Sequence, residues 1–322
     1  MAEDEDFRAL RVAAAERIAE DIFRFDLVDP EGAELPSFTA GAHLRVRVPN
    51  GLTRRYSLCS DPAEGARYSI AVKRDAGGQG GSVSLCDGVK AGDLLPVAAP
   101  RNDFPLVGSP VGRVFIAGGI GITPIMSMIH QLQAEGRPPW KLYYLTRSAA
   151  QTAFLDELRA PALKGKVVIH HDGGDPAQAL DLWPVLEQAK GRHLHCCGPR
   201  GLMQAVKDMT GHWPVSAVHF EDFGTGGGQK RPDDAPFALR LARSGARINV
   251  PAGASILQAL RGAGIDVAHS CESGTCGSCR TGLLGGAVDH RDLVLMDHEK
   301  GSQIMVCVSR AAAGTDELVL DL

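Results

Sequence analysis

The sequence predicts a multidomain chain: an antiparallel β module, then a doubly wound α/β module, then a small C-terminal β module. Three observations carry this. Apolar and polar residues alternate with period two through much of the first hundred positions, and a strand–helix–strand rhythm starts near residue 111. A run of Gly, Pro and charged residues, "GTGGGQKRPDDAP" at 224–236, then precedes renewed strand patterning. The expected boundaries are 1–107, 108–223, a linker at 224–236, and 237–322.

In the first module "HLRVRV" sets Leu44, Val46 and Val48 on one face and Arg45 and Arg47 on the other. "PNG" then turns the chain into a return strand, "TRRYSL". "RYSIAVK" alternates again through Tyr68, Ile70 and Val72. "RVAAAERIAEDIFRF" has helix-forming composition, but Phe23, Phe25 and Leu27 alternate, and the stretch is read as a pair of strands. In the second module "VGRVFIAGG" is an apolar strand and "PIMSMIHQLQAEG" an amphipathic helix with Ile125, Met128, Ile129 and Leu132 on one face. "KLYYLT", "KVVIHH" and "RHLHCC" are further strands of a parallel sheet. In the third, "FALRLA" and "RINVPAG" form a hairpin. Ser255 and Gln258 make a capping box ahead of a short helix, and "IMVCV" and "ELVLDL" are closing strands.

Between that helix and the closing strands stands "CESGTCGSC". Cys271, Cys276 and Cys279, with Cys307 further on, have the C-x4-C-x2-C…C spacing of a plant-type [2Fe–2S] centre. Structural zinc generally takes two such knuckles, and only one CxxC is present. A thioredoxin-type dithiol sits at a helix N-terminus, whereas this pair follows a glycine-rich loop. Gly274 and Gly277 let the backbone wrap an inorganic core. Cys307, read as lying on the "IMVCV" strand, is the expected fourth ligand.

Two other glycine-rich runs suit phosphate. "GGIGITP", Gly118 to Pro124, joins a strand to a helix, where backbone amides and the helix N-terminus receive a pyrophosphate. Pro124 replaces the third glycine of the usual fingerprint, and the following strand ends in Thr146 and Arg147 rather than an acid. Arg147 suits a 2′-phosphate. "RDAGGQGGSVSL" offers the bare amides of Gly80 and Gly81 and the hydroxyl of Ser82 to a single phosphate, although a flexible hairpin loop looks the same.

Composition narrows the function classes. A net charge of −4 argues against a general nucleic-acid binder, and the acidic start "MAEDEDFRAL" lacks the basic and apolar regions of a signal peptide. No run reaches the ~18 apolar residues of a membrane span. A cytoplasmic location is expected, with its eight cysteines as thiols or ligands rather than disulfides.

Taken in order, "RRYSL", "AVKRDAGGQGGS", "GGIGITP", "CCGPRG", "FEDF" and the cysteine cluster resemble the phthalate dioxygenase reductase family, to which vanillate O-demethylase reductases are similar. The resemblance spans essentially the whole chain. It implies a six-stranded antiparallel barrel holding FMN, a doubly wound NADH domain and a β-grasp ferredoxin. Arg54, Tyr56 and Ser57 match the family's R-x-Y-S, with Arg serving the phosphate and Ser the flavin ring. Ala71, Val72 and Lys73 are implied to line the isoalloxazine, and Gly81 and Ser82 to hold the phosphate. Gly118, Gly119, Gly121, Thr123 and Pro124 match the nicotinamide-domain loop, and Cys197, Gly198 and Pro199 the Cys-Gly-Pro turn. Phe223 either covers the flavin face or packs as ordinary core.

The implied path runs from NADH through FMN to the [2Fe–2S] cluster and on to a separate terminal oxygenase of the Rieske type. It needs no acid–base catalytic residues. The alternatives are a reductase serving a haem monooxygenase and a redox sensor with little turnover. A monomer is expected. The third module's nine acids against eight Lys and Arg point to docking through a local patch or apolar contacts rather than net charge.

Overall fold

Period-two alternation in the first hundred residues becomes a closed antiparallel sheet in the computed structural model, which describes residues 7–136, 139–223, 231 and 233–322. Strands β1 (Phe7–Ala19) and β2 (Ile22–Val28) pair across a tight turn in which Asp21 adopts a left-handed conformation, φ 56°. Burial overrides the helical composition of β1. Its Leu10 and Val12 join Phe25 and Leu27 in one core, an outcome only a strand pair allows. Strands β3 (His43–Arg47) and β4 (Thr53–Ser57) form the hairpin, and β5 (Tyr68–Lys73) pairs with β2. Helix α1 (Gly81–Gly88) and β6 (Leu94–Ala98) follow, β6 pairing with β1 and β3.

The strand order β4-β3-β6-β1-β2-β5 leaves β4 and β5 as edges, and a bridge between Leu58 and Ile70 joins them into a barrel. Helix α1 departs from the loop expected of the glycine-rich run. Leu85 reaches the barrel core, and Gly80 (φ 82°) supplies the left-handed entry that a helix can start from.

Next come β7 (Arg113–Gly118), a 3-10 turn at Gly119–Gly121 and α2 (Ile122–Glu135). Then follow β8 (Trp140–Thr146), the one-turn α3 (Leu155–Leu158), β9 (Val167–His171) and α4 (Trp183–Leu186). Strand β10 (His193–Cys197), α5 (Arg200–Met209) and β11 (Val218–Glu221) complete the sheet. Its order is β11-β10-β7-β8-β9, and the β10–β7, β7–β8 and β8–β9 pairs are parallel. The apolar face of α2 (Ile125, Met128, Ile129, Leu132) is fully buried against it.

The chain divides into two compact units, residues 1–219 and 220–322. Barrel and parallel sheet share the first, with Ile22, Ala71 and Phe104 in one core with Phe115 and Ile125. The segment joining them is held from below. Arg113 donates twice to the Val107 carbonyl, at 2.9 and 3.1 Å, and Nε2 of His195 lies 3.2 Å from the Pro105 carbonyl. His195 stacks on His219, whose Nε2 is 3.1 Å from Nδ1 of His193. That short nitrogen contact requires one of the two rings to accept and hence to be neutral. Burial, reinforced by the neighbouring imidazole, lowers His219 to about 4 and drives His195 well below the ordinary imidazole value.

The second unit carries a mixed sheet and one helix. Its elements are β12 (Phe237–Leu241), β13 (Arg247–Val250), α6 (Ile256–Gly262), β14 (Arg280–Gly285), β15 (Val288–Asp289), β16 (Gln303–Met305), β17 (Arg310–Ala311) and β18 (Glu317–Leu320). The main order is β13-β12-β18-β14-β16, with β12 and β18 parallel, and β15 pairs with β17. The Ser255–Gln258 capping box forms as the sequence predicts, and Ile256, Leu257 and Leu260 of α6 are buried.

Cys307 is not on a strand, contrary to the sequence reading. The β14–β16 ladder stops at Arg280↔Met305, because β14 begins only after Cys279 and offers residues past 305 no partner. The chain turns instead, with the Ser309 amide donating to the Met305 carbonyl at 3.0 Å. Of the expected linker, residues 224–230 and 232 lie outside the described residues. Among the described residues, no helix is long and apolar enough to cross a membrane.

Asp234, from the end of that linker segment, is half-buried, with its side chain enclosed between two buried arginines. Arg291 grips it with both terminal nitrogens (2.5 and 3.1 Å), and Arg310 stands 3.7 Å away while also donating to the Ala235 and Pro251 carbonyls. Asp234→Ala removes the carboxylate 3.7 Å from Arg310 and leaves Arg291 with Asp289, and is expected to cost the second unit about 1–3 kcal/mol, read as a lowered denaturant midpoint.

The histidine stack has its own pH signature. Its folded pKa values lie below the unfolded value, so the unfolded chain takes up protons first. Stability present above pH ~6.5 is lost as pH falls toward 4. Unfolding midpoints compared between pH 7.5 and 5 check this: His219→Gln is expected to flatten the dependence.

Candidate cofactor sites

Three places in the fold gather the residues singled out by the sequence. The first is the seam of the barrel. Strands β4 and β5 meet at the Leu58–Ile70 bridge, and the Cys59 amide donates to the Ser69 carbonyl at 2.8 Å. On either side of the bridge lie Arg54, Tyr56 and Ser57 on β4 and Ala71, Val72 and Lys73 on β5. The Ala71 and Val72 side chains are turned into the two cores of the first unit, so only their backbone is free to line a ring at the seam, while Lys73 is exposed. Tyr56 shows what the seam lacks. Its hydroxyl is buried with no hydrogen-bond partner among the described residues, and burial raises its pKa. An orphaned buried hydroxyl fits a bound polar ring system such as a flavin.

Beside the seam, α1 opens with no side-chain cap and no acid in its first turn. Arg54 lies across this end: its Nη2 donates to Gln79 at 2.8 Å, and a Cβ on Gly81 would stand 2.8 Å from its Nε. The Ser82 hydroxyl accepts from the Asp75 amide at 3.1 Å and keeps its own proton to donate. Asn50 steadies the loop from β3's side, donating to the Gly80 carbonyl and accepting the Leu52 amide. Guanidinium, hydroxyl and helix N-terminus together fit a phosphate. Neither Gln79 nor Asn50 was visible as part of this cradle in the sequence, because both act across more than twenty residues.

The second place is the C-terminal edge of the parallel sheet. Strands β8 and β9 extend it one way from β7, and β10 and β11 the other, so the order switches between β7 and β10. Ligands of open α/β sheets lie at such a switch point. The turns leaving β7 and β10 nest there. A Cβ on Gly118 would lie 2.5 Å from Pro199, and one on Gly121 only 2.2 Å from the Cys197 carbonyl. Gly198 in turn sits against Gly118. Gly119, at φ 52°, faces open space. Thr123 donates to the Ile120 carbonyl, Pro124 fills the first turn of α2, and Cys197 is fully buried beside Cys196, whose thiol burial pushes up.

Thr146 is less available than the sequence implies. Its hydroxyl is engaged at 2.8 Å with both Thr152 and Nδ1 of His171. Arg147 is exposed at the end of β8. Phe223 follows β11 and is 40% exposed, so it is not ordinary core.

The third place is the loop from Cys271 to Cys279. All four cysteines are free thiols, three buried and Cys276 exposed. They fall into two pairs: Cys271 and Cys276 share a side-chain hydrogen bond, as do Cys279 and Cys307. Within each pair that bond lowers the pKa of one thiol, Cys271 and Cys279 respectively. Among the described residues no three His, Cys, Asp or Glu side chains converge as ligands of a single ion. Two thiol pairs are instead the donor set for two irons.

The loop is wound by Gly274 (φ 78°) and Gly277 (φ 81°). A Cβ on Gly274 would stand 2.7 Å from Val308 and 3.1 Å from the Asp292 Cα. The Ser273 amide already points at the Cys271 sulfur, 3.4 Å away. The residues present fit a [2Fe–2S] cluster.

Comparison with known proteins agrees with this geometry. Residues 239–312 match the family model of the 2Fe-2S iron–sulfur cluster binding domain, and residues 9–105 that of the oxidoreductase FAD-binding domain. The chain is 54% identical over 321 residues to a phthalate dioxygenase reductase of Burkholderia cepacia, covering 99% of each. The chain belongs to the phthalate dioxygenase reductase family. It is also 56% identical to a phthalate 4,5-dioxygenase oxygenase reductase subunit of Pseudomonas putida, over 99% of this chain and 98% of that one. A solved phthalate dioxygenase reductase, described as a modular structure for electron transfer from pyridine nucleotides to [2Fe–2S], superimposes with a TM-score of 0.71. The two are 54% identical, with 98% of each chain covered. Family membership makes this chain a flavin- and [2Fe–2S]-dependent oxidoreductase.

Gly121→Ala tests whether the nested turns tolerate any separation. With 2.2 Å to a backbone oxygen, the change is expected to cost about 1–3 kcal/mol in the first unit and to raise KM for pyridine nucleotide, while the visible spectrum of the C-terminal centre stays unchanged.

Proposed function

We propose that the chain is an NADH-dependent, FMN-containing reductase that passes electrons to a separate terminal oxygenase of the Rieske non-haem iron type. The observation that carries the reading is the thiol quartet, arranged as two pairs at the end of a chain that also holds a flavin seam and a switch-point nucleotide site. When bound, the flavin accepts a hydride and releases electrons one at a time, and the cluster takes them singly.

The protein's own residues bind and orient. Arg54, Gly80, Gly81 and Ser82 are assigned to the phosphate of FMN: the cradle offers one helix N-terminus and one guanidinium, suited to a monophosphate. Tyr56 and Ser57, with the backbone of Ala71, Val72 and Lys73, are assigned to the ring. Gly118, Gly119, Gly121, Thr123 and Pro124, with Cys197, Gly198 and Pro199, are assigned to the pyridine nucleotide. Thr146 and Arg147 stand toward its ribose end. The Asp172 and Gly173 amides donate to the Thr146 and Arg147 carbonyls and so bring the turn after β9 to the end of β8, where Arg147 suits a 2′-phosphate; NADH therefore rests on the family's habit rather than on a local residue. Cys271, Cys276, Cys279 and Cys307 are assigned to the cluster.

The reading takes the chain as a cytoplasmic monomer, and residues 1–107, 108–223, 224–236 and 237–322 as flavin domain, nucleotide domain, linker and ferredoxin domain. The absorption spectrum and the extracted flavin of the purified protein test it. FMN with broad iron–sulfur absorption is expected, and a colourless zinc protein would overturn it. Cys307→Ser is expected to remove the iron–sulfur absorption and electron delivery to oxygenase or cytochrome c, while NADH still bleaches the flavin.

A further inference from the structure

The Asp292 side chain is fully buried, and no Lys or Arg among the described residues pairs with it. Its Oδ2 accepts the amides of Val294 (3.0 Å) and Leu295 (2.7 Å), folding 292–295 into a tight turn. Its Oδ1 is buried without a hydrogen-bond partner among the described residues. Nδ1 of His290, likewise without a hydrogen-bond partner among the described residues, stands 3.8 Å from it.

The turn built on this carboxylate is the floor of the cysteine loop. Asp292 Cα and Val308 close the space where Gly274 has no side chain, and Val294 does the same at 3.3 Å for Gly277. The Leu293 amide donates to the Gly274 carbonyl at 2.9 Å. Val308 adjoins Cys307, and the neighbouring Arg291 amide donates to Ser309 at 3.3 Å. One carboxylate thus supports the stretch between Cys271 and Cys276, the stretch between Cys276 and Cys279, and the far ligand's turn.

We propose that Asp292 is a positioning residue for electron transfer: its bonds to the Val294 and Leu295 amides hold the cysteine loop in its wound form, and its negative charge disfavours reduction of the centre that loop encloses. The inference rests on the reading of that loop as a [2Fe–2S] site. Leaving one carboxylate oxygen unpaired inside a protein is unfavourable for stability alone. A fixed charge beside an electron acceptor gives that oxygen a use.

Asp292→Asn separates the two roles, because its amide oxygen still accepts both hydrogen bonds while the charge is gone. In the holoprotein, D292N is expected to shift the flavin–cluster electron equilibrium on the order of tenfold toward reduced cluster, with the rate of cluster release to a chelator unchanged. Asp292→Ala is expected to release the cluster at least tenfold faster. In the metal-free chain it should also speed hydrogen exchange of the Val294 and Leu295 amides, a readout independent of any cofactor.

A D292N equilibrium equal to that of the unaltered protein overturns the charge role. A D292A loop that keeps its cluster and its slow amides overturns the positioning role. If D292N holds no cluster while its flavin content and thermal transition match the parent's, the bonds to the Val294 and Leu295 amides do not hold the loop and the positioning role is overturned. Loss of both shows a general folding residue and overturns the proposal. An unaltered protein without iron–sulfur absorption would instead fail the functional reading itself.

Discussion

Four sulfur atoms from two distant stretches must be brought within a few ångströms of one another, and the C-terminal unit is arranged around that requirement. A regular element cannot do it. Three thiols within nine residues point three ways on a helix and alternate across a strand. The loop escapes both periods through two left-handed glycines, and each creates a void that a neighbouring side chain fills: Val308 and Asp292 beneath Gly274, Val294 beneath Gly277. The fourth thiol obeys the same constraint. Cys307 joins Cys279 only because β16 ends at Met305 and the chain turns, releasing the side chain from strand alternation.

Close backbone approach governs the nucleotide edge as well, for a different reason. In the cysteine loop glycine supplies conformation. Where β7 and β10 end, it supplies absence of bulk, since Gly118 and Gly121 have ordinary negative φ and yet no room for a methyl group. Two strand–helix turns packed at that distance set the start of α5 against the start of α2 at the switch in strand order. Two helix N-termini set side by side favour a diphosphate over a neutral ligand.

What could be read from the sequence followed how local the determinant was. The hairpin of β3 and β4, the amphipathic face of α2, the capping box at Ser255 and the cysteine spacing are all set within a few residues, and each was legible. Helix α1 was not, because Leu85 is its one strongly anchored apolar residue and the glycines ahead of it read as loop. The position of Cys307 was misread because "IMVCV" has strand composition to its end, while the partner strand stops earlier. The Asp234 ion cluster joins residues more than fifty apart. Asp292 did leave a local trace: an aspartate whose oxygen can cap the amides two and three residues on, in "DLVL", is a turn former. Only its burial and its place under Gly274 turn that trace into a site.

The two buried charge systems of the second unit complement one another. Arg291 and Asp292 are consecutive, yet face opposite tasks: Arg291 reaches back to Asp234 and Asp289, while Asp292 reaches forward under the cysteine loop. Strand β15 and its partner β17 carry the same division, with Asp289 paired in register with Arg310, three residues beyond Cys307. Displacing either arginine therefore moves backbone that is continuous with a cluster support on both sides. A hydrophobic filling of equal volume would hold the chain as firmly in free energy, but it would leave register free to slip by a residue and turn Asp292 away from Gly274. Bidentate charge pairs tolerate no such slip, and fixing register in two short strands that otherwise share only two residue pairs is what their buried charges accomplish.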